Sequence, residues 1–178
     1  MDIVQKAREF ASHAHRDHVR NDKAKTPYVH HLAEVAELVR ASGGDDNEIA
    51  AGWLHDTVED TSTTIEDIQR EFSGEVAAIV RGMTDLPEWG SLSLQERKLR
   101  QAERIAGAPA TVKRVKLADQ TSNVAIVGRG GEFGRDDNLI YVAGALRIAE
   151  ACRGVSSYLD ALFRDRYGIA LKHLEGPR

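Results

Sequence analysis

The stretch Trp53-Leu54-His55-Asp56-Thr57-Val58-Glu59-Asp60-Thr61 decides how the chain is read. Taken as the end of a helix, it stacks residues four apart on one face. His55 then sits under Glu59, Asp56 sits under Asp60, and Leu54 and Val58 turn toward a core. Two aspartates at i and i+4 repel, so the helix gains nothing from that pairing. A His-Asp pair with two further carboxylates is either a charged surface face or the edge of a divalent-cation site. These nine residues leave both readings open, and further ligands must come from elsewhere in the chain.

Upstream, Asp45 or Asp46 caps the helix that runs through Ile49, Ala50 and Trp53 into this stretch. Before it, His30-His31 open a helix with Leu32, Val35, Ala36 and Val39 on one face, ended by Ser42-Gly43-Gly44. A basic connector, Arg20 to Thr26, closes at Pro27-Tyr28. It follows a first helix over residues 2–18, where Ile3, Ala7, Phe10, Ala11 and Ala14 keep helical spacing. His13, His15 and His18 read there as surface or boundary residues. The opening Met-Asp-Ile-Val-Gln-Lys reads as a helix start, not as a signal peptide.

Downstream, Thr63 with Glu66, or Thr64 with Asp67, has capping-box spacing, and the helix it starts ends near Phe72. Ser73 caps the next helix, with Val76, Ile79, Val80 and Met83 as its core face. Residues 85–92 read as a loop. Ser93 and Glu96 start a charged helix, where Arg97 and Lys98 read as a solvated face. Pro109 suits the first turn of a helix carrying Val112, Val115, Leu117 and Ala118, then Asp119 and Asn123. Gly128 to Gly134 lacks the strand-then-helix setting of a phosphate-cradling loop and reads as a turn. Two last helices cover about residues 137–152 and 156–173. No segment reads as a strand. The fold class expected is all-α, a helical bundle forming a single domain over residues 1–178.

Composition narrows the function. A net charge of −4 gives no reason to expect nucleic acid or an anionic membrane as partner. No apolar run approaches the roughly 18 residues of a membrane span. The one cysteine, Cys152, cannot close an intrachain disulfide, which fits a cytoplasmic location; its apolar neighbours mark it as a small buried hydrophobe.

The candidate ligands are His31, the pair His55-Asp56, and Asp119 within Val-Lys-Leu-Ala-Asp. Two histidines and two carboxylates suit Mn²⁺, Fe²⁺ or Zn²⁺. They lie on three predicted helices, and spacing alone does not bring them together.

The order H…HD…D resembles the signature of the HD superfamily of metal-dependent phosphohydrolases. "TPYVHH", "AAGWLHDTVEDTSTTIEDI", "FSGEVAAIVRGMTDL", "QERK" and "VKLADQTSN" follow the order seen in the hydrolase domain of RelA/SpoT proteins. The chain is most similar to their stand-alone members, the small alarmone hydrolases. The resemblance implies an HD-domain helical bundle holding Mn²⁺ or another divalent transition metal. Its implied reaction is hydrolysis of the 3′-pyrophosphate of a guanine nucleotide, ppGpp or pppGpp, to GDP or GTP. By position it makes His31, His55, Asp56 and Asp119 metal ligands and Glu59 and Asp60 the catalytic acidic pair. Arg20, Tyr28 and Asn123 match substrate-binding positions. Read as residues, Arg20 is a phosphate clamp or a solvated loop charge, Asn123 a substrate contact or a helix-surface group, and Tyr28 a stacking or a packing residue; Arg97 and Lys98 could reach phosphates, but a solvated helix face is the reading kept for them. The implied chemistry agrees with the residues, since a bound cation acidifies water and polarises a phosphoryl oxygen, and a nearby carboxylate can take the proton. A synthetase half would need a further domain, so no synthetase activity is expected.

The chain departs from the family pattern at three places. Leu32 stands where a proline usually follows the metal histidine, Asn21 where a second basic residue follows the arginine, and Gln120-Thr121-Ser122 where a leucine and an aromatic or histidine precede Asn123. The last change motivates an alternative substrate for the same fold, the 2′-phosphate of NADPH or a nucleoside monophosphate.

Overall fold

The computed structural model describes residues 2–22, 24–131 and 134–176. Its helices are α1 (Ile3–Ala14), α2 (Val29–Ala41), α3 (Asp46–Leu54), α4 (Thr57–Asp60), α5 (Ile65–Glu71), α6 (Gly74–Met83), α7 (Leu94–Ala106), α8 (Ala110–Val127), α9 (Arg135–Ala151) and α10 (Ser157–Glu175). Among the described residues the only strand-like pairing is an isolated antiparallel bridge, Val19 with Pro27. The fold is all-α, as the periodicity implies, and among the described residues no helix is long and apolar enough to cross a membrane.

The helix starts follow local hydrogen bonding. Asp45 closes a capping box with Glu48, Thr64 with Asp67, and Ser93 with Glu96. Each satisfies amide groups that a helix end leaves without partners. The first helix stops at Ala14 rather than reaching residue 18. Residues 85–92 are not wholly irregular, because Pro87–Ser91 forms a short 3₁₀ helix. Within the segment 128–134, Glu132 and Phe133 lie outside the described residues.

The opening stretch is not one continuous helix. α3 ends at Leu54, and α4 begins at Thr57. Asp56 between them has φ −95° and ψ −4°, the bridge-region backbone of a turn. The four-residue columns of an uninterrupted helix are therefore broken where the two candidate ligands sit. Asp56 starts α4 as its N-cap, its carbonyl accepting the Asp60 amide at 2.9 Å.

α8 is the central element. It packs against α2, α3, α6, α9 and α10. Val115, Leu117, Ala118 and Val124 on it are fully buried, and so are the polar Thr121 and Ser122. A helix buried nearly all round carries no amphipathic stripe, so its polar residues must be satisfied inside the protein. α2 and α3 come together at Gly52. A Cβ built there would lie 3.0 Å from the Ala36 Cα, so the missing side chain is what allows this approach. The contact sets His55, three residues beyond Gly52, beside the start of α2.

Gly52→Ala must push α2 and α3 apart. The expected loss is about 1–3 kcal/mol of stability, as for other overpacked interiors, read as a lower midpoint in chemical denaturation together with weaker metal binding. An unchanged midpoint would show that the helices are not in contact at this point.

Candidate metal centre and active site

α2, the α3–α4 turn and α8 bring the four predicted ligands together. His31, His55 and Asp56 offer donor atoms that all lie within 4.8 Å of one another. His55 Nε2 is 2.9 Å from Asp56 Oδ2 and 3.7 Å from Asp119 Oδ1. His31 Nε2 is 3.4 Å from Asp56 Oδ2 and 3.5 Å from Asp119 Oδ1. Ligands at right angles around an ion bound at about 2.1 Å lie about 3 Å apart, and these separations leave room for one shared cation.

The histidines are arranged as ligands. His55 Nδ1 lies 2.9 Å from the Gly52 carbonyl, which accepts its proton and leaves Nε2 aimed at the carboxylates. Nε2 is buried and has no hydrogen-bond partner, although Asp56 Oδ2 is within 2.9 Å. The two atoms are close but not aligned for a hydrogen bond. An orphaned buried nitrogen beside an anion fits a group that waits for a cation.

The electrostatics agree. Burial opposes the charge on Asp56, but His55 and His31 outweigh it and hold the carboxyl well below the usual range. Burial likewise opposes the charge on Asp119, and the Lys116 ammonium, 3.4 Å away, leads the groups that lower it. Burial disfavours a charged His55, yet Asp56 and Asp119 draw a proton onto it and raise it well above its ordinary value.

Glu59 and Asp60 lie at the outer edge of this cluster, with their side chains reaching solvent. Surrounding protein and the Asp56 charge push Glu59 up to about 7 and Asp60 up to about 6, with Lys116 working against the shift at Glu59. Solvent at their outer edges tempers the burial penalty. Glu59 Oε1 also accepts the Asp85 amide at 2.6 Å, which ties α4 to the loop after α6.

Of the residues matched to substrate binding, Tyr28 and Asn123 bond directly to the ligand set and Arg20 reaches it through Asn123. The Tyr28 hydroxyl donates to Asp56 Oδ2 at 2.7 Å. The Asn123 amide donates to Asp119 Oδ1 at 2.6 Å, and Arg20 donates to Asn123 Oδ1 at 2.8 Å. Arg20 is therefore not a solvated loop charge; its residue is 9% exposed. It also lines a cavity of about 550 Å³ with Thr26, His30, His31, Arg129 and Gly130. Arg129, Gly130 and Gly131 thus form one wall of that cavity.

Several residues of the site escape the sequence reading. Lys98 is buried rather than solvated, donates to Gln120 Oε1 at 3.1 Å, and stands 4.1 Å over the Tyr141 ring. Burial, then the nearby Lys116 charge, lowers it to about 7. Gln120 passes the contact on, donating to Asp119 Oδ2 at 2.8 Å. His15 is buried and stacks on Tyr28 with ring centres 5.2 Å apart, and burial lowers it to about 4. Lys116, three residues before Asp119, was detectable as an i,i+3 partner; the other contacts cross helices and leave no spacing signal. Gln120-Thr121-Ser122, expected to bear on nucleotide contact, is buried within the helix packing and does not line the cavity.

Residues 7–130 match the HD domain family. The chain belongs to the HD-domain family. Among similar proteins is the guanosine-3′,5′-bis(diphosphate) 3′-pyrophosphohydrolase MESH1 of Xenopus tropicalis, 35% identical over 177 residues that cover 95% of this chain and 97% of that protein. The Homo sapiens MESH1 is 32% identical over 172 residues, covering 94% of this chain and 90% of its own. A solved structure described as a metazoan ortholog of SpoT that hydrolyzes ppGpp superposes with a TM-score of 0.85 at 29% identity, covering 94% of this chain and 95% of that one. HD hydrolases depend on a metal, and the His31–His55–Asp56 cluster is where this member of the family could hold one.

If the cluster takes a divalent cation, the proton on His55 must leave. Metal affinity is then expected to fall as pH is lowered, and calorimetry in buffers of different ionisation heat is expected to show proton release. A pH-independent affinity would contradict the assignment of His55 as a ligand. His55→Ala is expected to abolish stoichiometric metal in the purified protein, measured by elemental analysis.

Proposed function

We infer that the chain is a guanosine-3′,5′-bis(diphosphate) 3′-pyrophosphohydrolase that acts with Mn²⁺. The observation that carries the reading is the two-histidine, two-carboxylate cluster, flanked by Glu59 and Asp60 and opening beside an arginine-lined cavity. It is supported by end-to-end similarity to relatives named for this reaction. We take residues 1–178 as one HD phosphohydrolase unit.

In this reading His31, His55, Asp56 and Asp119 hold the metal. A divalent cation there supplies positive charge for a phosphoryl oxygen and acidifies a water molecule. The proximal phosphorus of the 3′-pyrophosphate takes up the water oxygen, the bond to the ribose 3′ oxygen breaks, and that oxygen leaves with a proton. Pyrophosphate and GDP result, or GTP from pppGpp. Glu59 and Asp60 handle the protons. Raised carboxyls near neutrality suit groups that must both accept and return a proton. Arg20 and Arg129 at the cavity wall supply charge to phosphates, and Asn123 sets the Arg20 guanidinium. Tyr28, through Asp56, holds a ligand in place. The acidic balance of the chain makes this local positive charge necessary for a polyanionic substrate.

The test is product analysis with ppGpp and Mn²⁺. Stoichiometric GDP and pyrophosphate are expected. No pyrophosphate at any metal level, with turnover of NADPH or a nucleoside monophosphate instead, would assign the same site to another nucleotide. Glu59→Gln and Asp60→Asn are expected to lower kcat by about 10²–10⁴-fold, the usual worth of acid–base groups, while Mn²⁺ still binds.

The pH dependence has a definite sign. As pH falls through about 7 for Glu59 and about 6 for Asp60, each carboxylate takes up a proton and can no longer accept one from water. The rate should therefore decline on the acid side. A cation beside Asp56 offsets its charge and moves the decline to lower pH. A kcat/KM profile measured at saturating Mn²⁺ is expected to show this acid limb, and Glu59→Gln is expected to change its shape.

A further inference from the structure

Ser122, a polar residue in the interior of α8, is fully buried. Its hydroxyl links two groups. Oγ lies 2.9 Å from His31 Nδ1 and donates to Glu34 Oε2 at 2.6 Å. Glu34 Oε1 in turn accepts Arg166 Nη1 at 2.7 Å, and the same nitrogen lies 3.2 Å from the Thr121 carbonyl. The chain of contacts runs from α10, through α2 and α8, to a candidate ligand.

The direction of each bond follows from the donor inventory. A serine hydroxyl has one proton. An ionised carboxylate has none to offer, so the Ser122 proton points at Glu34. Ser122 Oγ then meets His31 Nδ1 with a lone pair, and Nδ1 must carry the proton. The bare nitrogen of His31 is Nε2, the atom that faces Asp56 and Asp119 at 3.4 and 3.5 Å. The argument needs an ionised Glu34. Burial opposes that charge, but the Ser122 and Arg166 contacts outweigh it and hold the carboxyl below its ordinary value. His55 has its tautomer set by a backbone carbonyl, so His31 is the one whose tautomer rests on side chains.

We propose that Ser122, Glu34 and Arg166 are positioning residues that lock His31 in the Nδ1–H tautomer, so that a side chain of α10 helps to set the affinity of the metal centre. The proposal rests on reading His31 as a metal ligand, and it requires no particular substrate.

The test measures metal and tautomer rather than turnover. Mn²⁺ dissociation constants are determined for the full chain and for Ser122→Ala, Glu34→Gln and Arg166→Met. Ser122→Ala is expected to weaken Mn²⁺ binding by about 10–100-fold, as loss of a ligand's hydrogen-bond partner does elsewhere. Glu34→Gln and Arg166→Met are expected to give smaller losses, of about three- to tenfold, since each leaves the hydroxyl in place. Long-range ¹H–¹⁵N spectra of the Zn²⁺-loaded protein, which is diamagnetic, are expected to show a slowly exchanging His31 Nδ1–H that Ser122→Ala removes. An affinity within twofold of the parent in Ser122→Ala and Glu34→Gln, or an Nδ1–H that persists unchanged in Ser122→Ala, overturns the proposal. If Ser122→Ala fails to fold by circular dichroism, Glu34→Gln decides alone: unchanged Mn²⁺ binding overturns the proposal and weakened binding supports it. Absence of ppGpp hydrolysis in the parent, with the affinity loss intact, would count against the substrate reading and leave this one standing.

Discussion

The structure turns on two carboxylates, Asp56 and Asp119, set against two imidazoles where α2, the α3–α4 turn and α8 meet. Asp119 is buried and Asp56 partly so. Bringing such charges together inside a protein is costly unless they are paired and hydrogen-bonded. The surroundings meet that requirement one contact at a time. Lys116 stands beside Asp119, Asn123 and Gln120 donate to its two oxygens, and Tyr28 donates to Asp56. Both imidazoles turn Nε2 toward these carboxylates, an arrangement that a proton on His55 or a divalent cation can serve.

That constraint explains features that packing alone would not produce. α8 carries a run of polar residues, Asp119 to Ser122, through the middle of the protein. In an ordinary core helix each would be a liability. Here Gln120 leads to Lys98, Ser122 leads to Glu34, and Arg166 closes on both Glu34 and the Thr121 carbonyl. The glycine at position 52 belongs to the same logic, since it sets the distance between two helices that each deliver a histidine.

The legibility of the chain varied with the range of the interaction. Asp45, Thr64, Ser73 and Ser93 act as caps over three or four residues, and their spacing predicts the helix starts well. Periodicity does not reveal the turn at His55-Asp56, because residues on both sides have helical spacing and the interruption is a matter of one backbone angle pair. Lys98 reads as solvated because its neighbours on α7 are charged. Its burial arises from α9, where Gly144 leaves room for the lysine stem: a Cβ there would lie 2.6 Å from the Lys98 Cβ.

The sequence by itself determined the all-helical class, the helix starts, the family and the four candidate ligands, because these are written in short-range periodicity and in a motif with few other uses. Only the tertiary structure decided that the ligands meet, which nitrogen each histidine presents, and that Arg20, Tyr28 and Asn123 are bonded into the ligand network. Those facts depend on contacts between residues as far apart as Arg20 and Asn123, or Glu34 and Arg166. Local spacing carries no record of such pairs, since they come into being only when the helices pack.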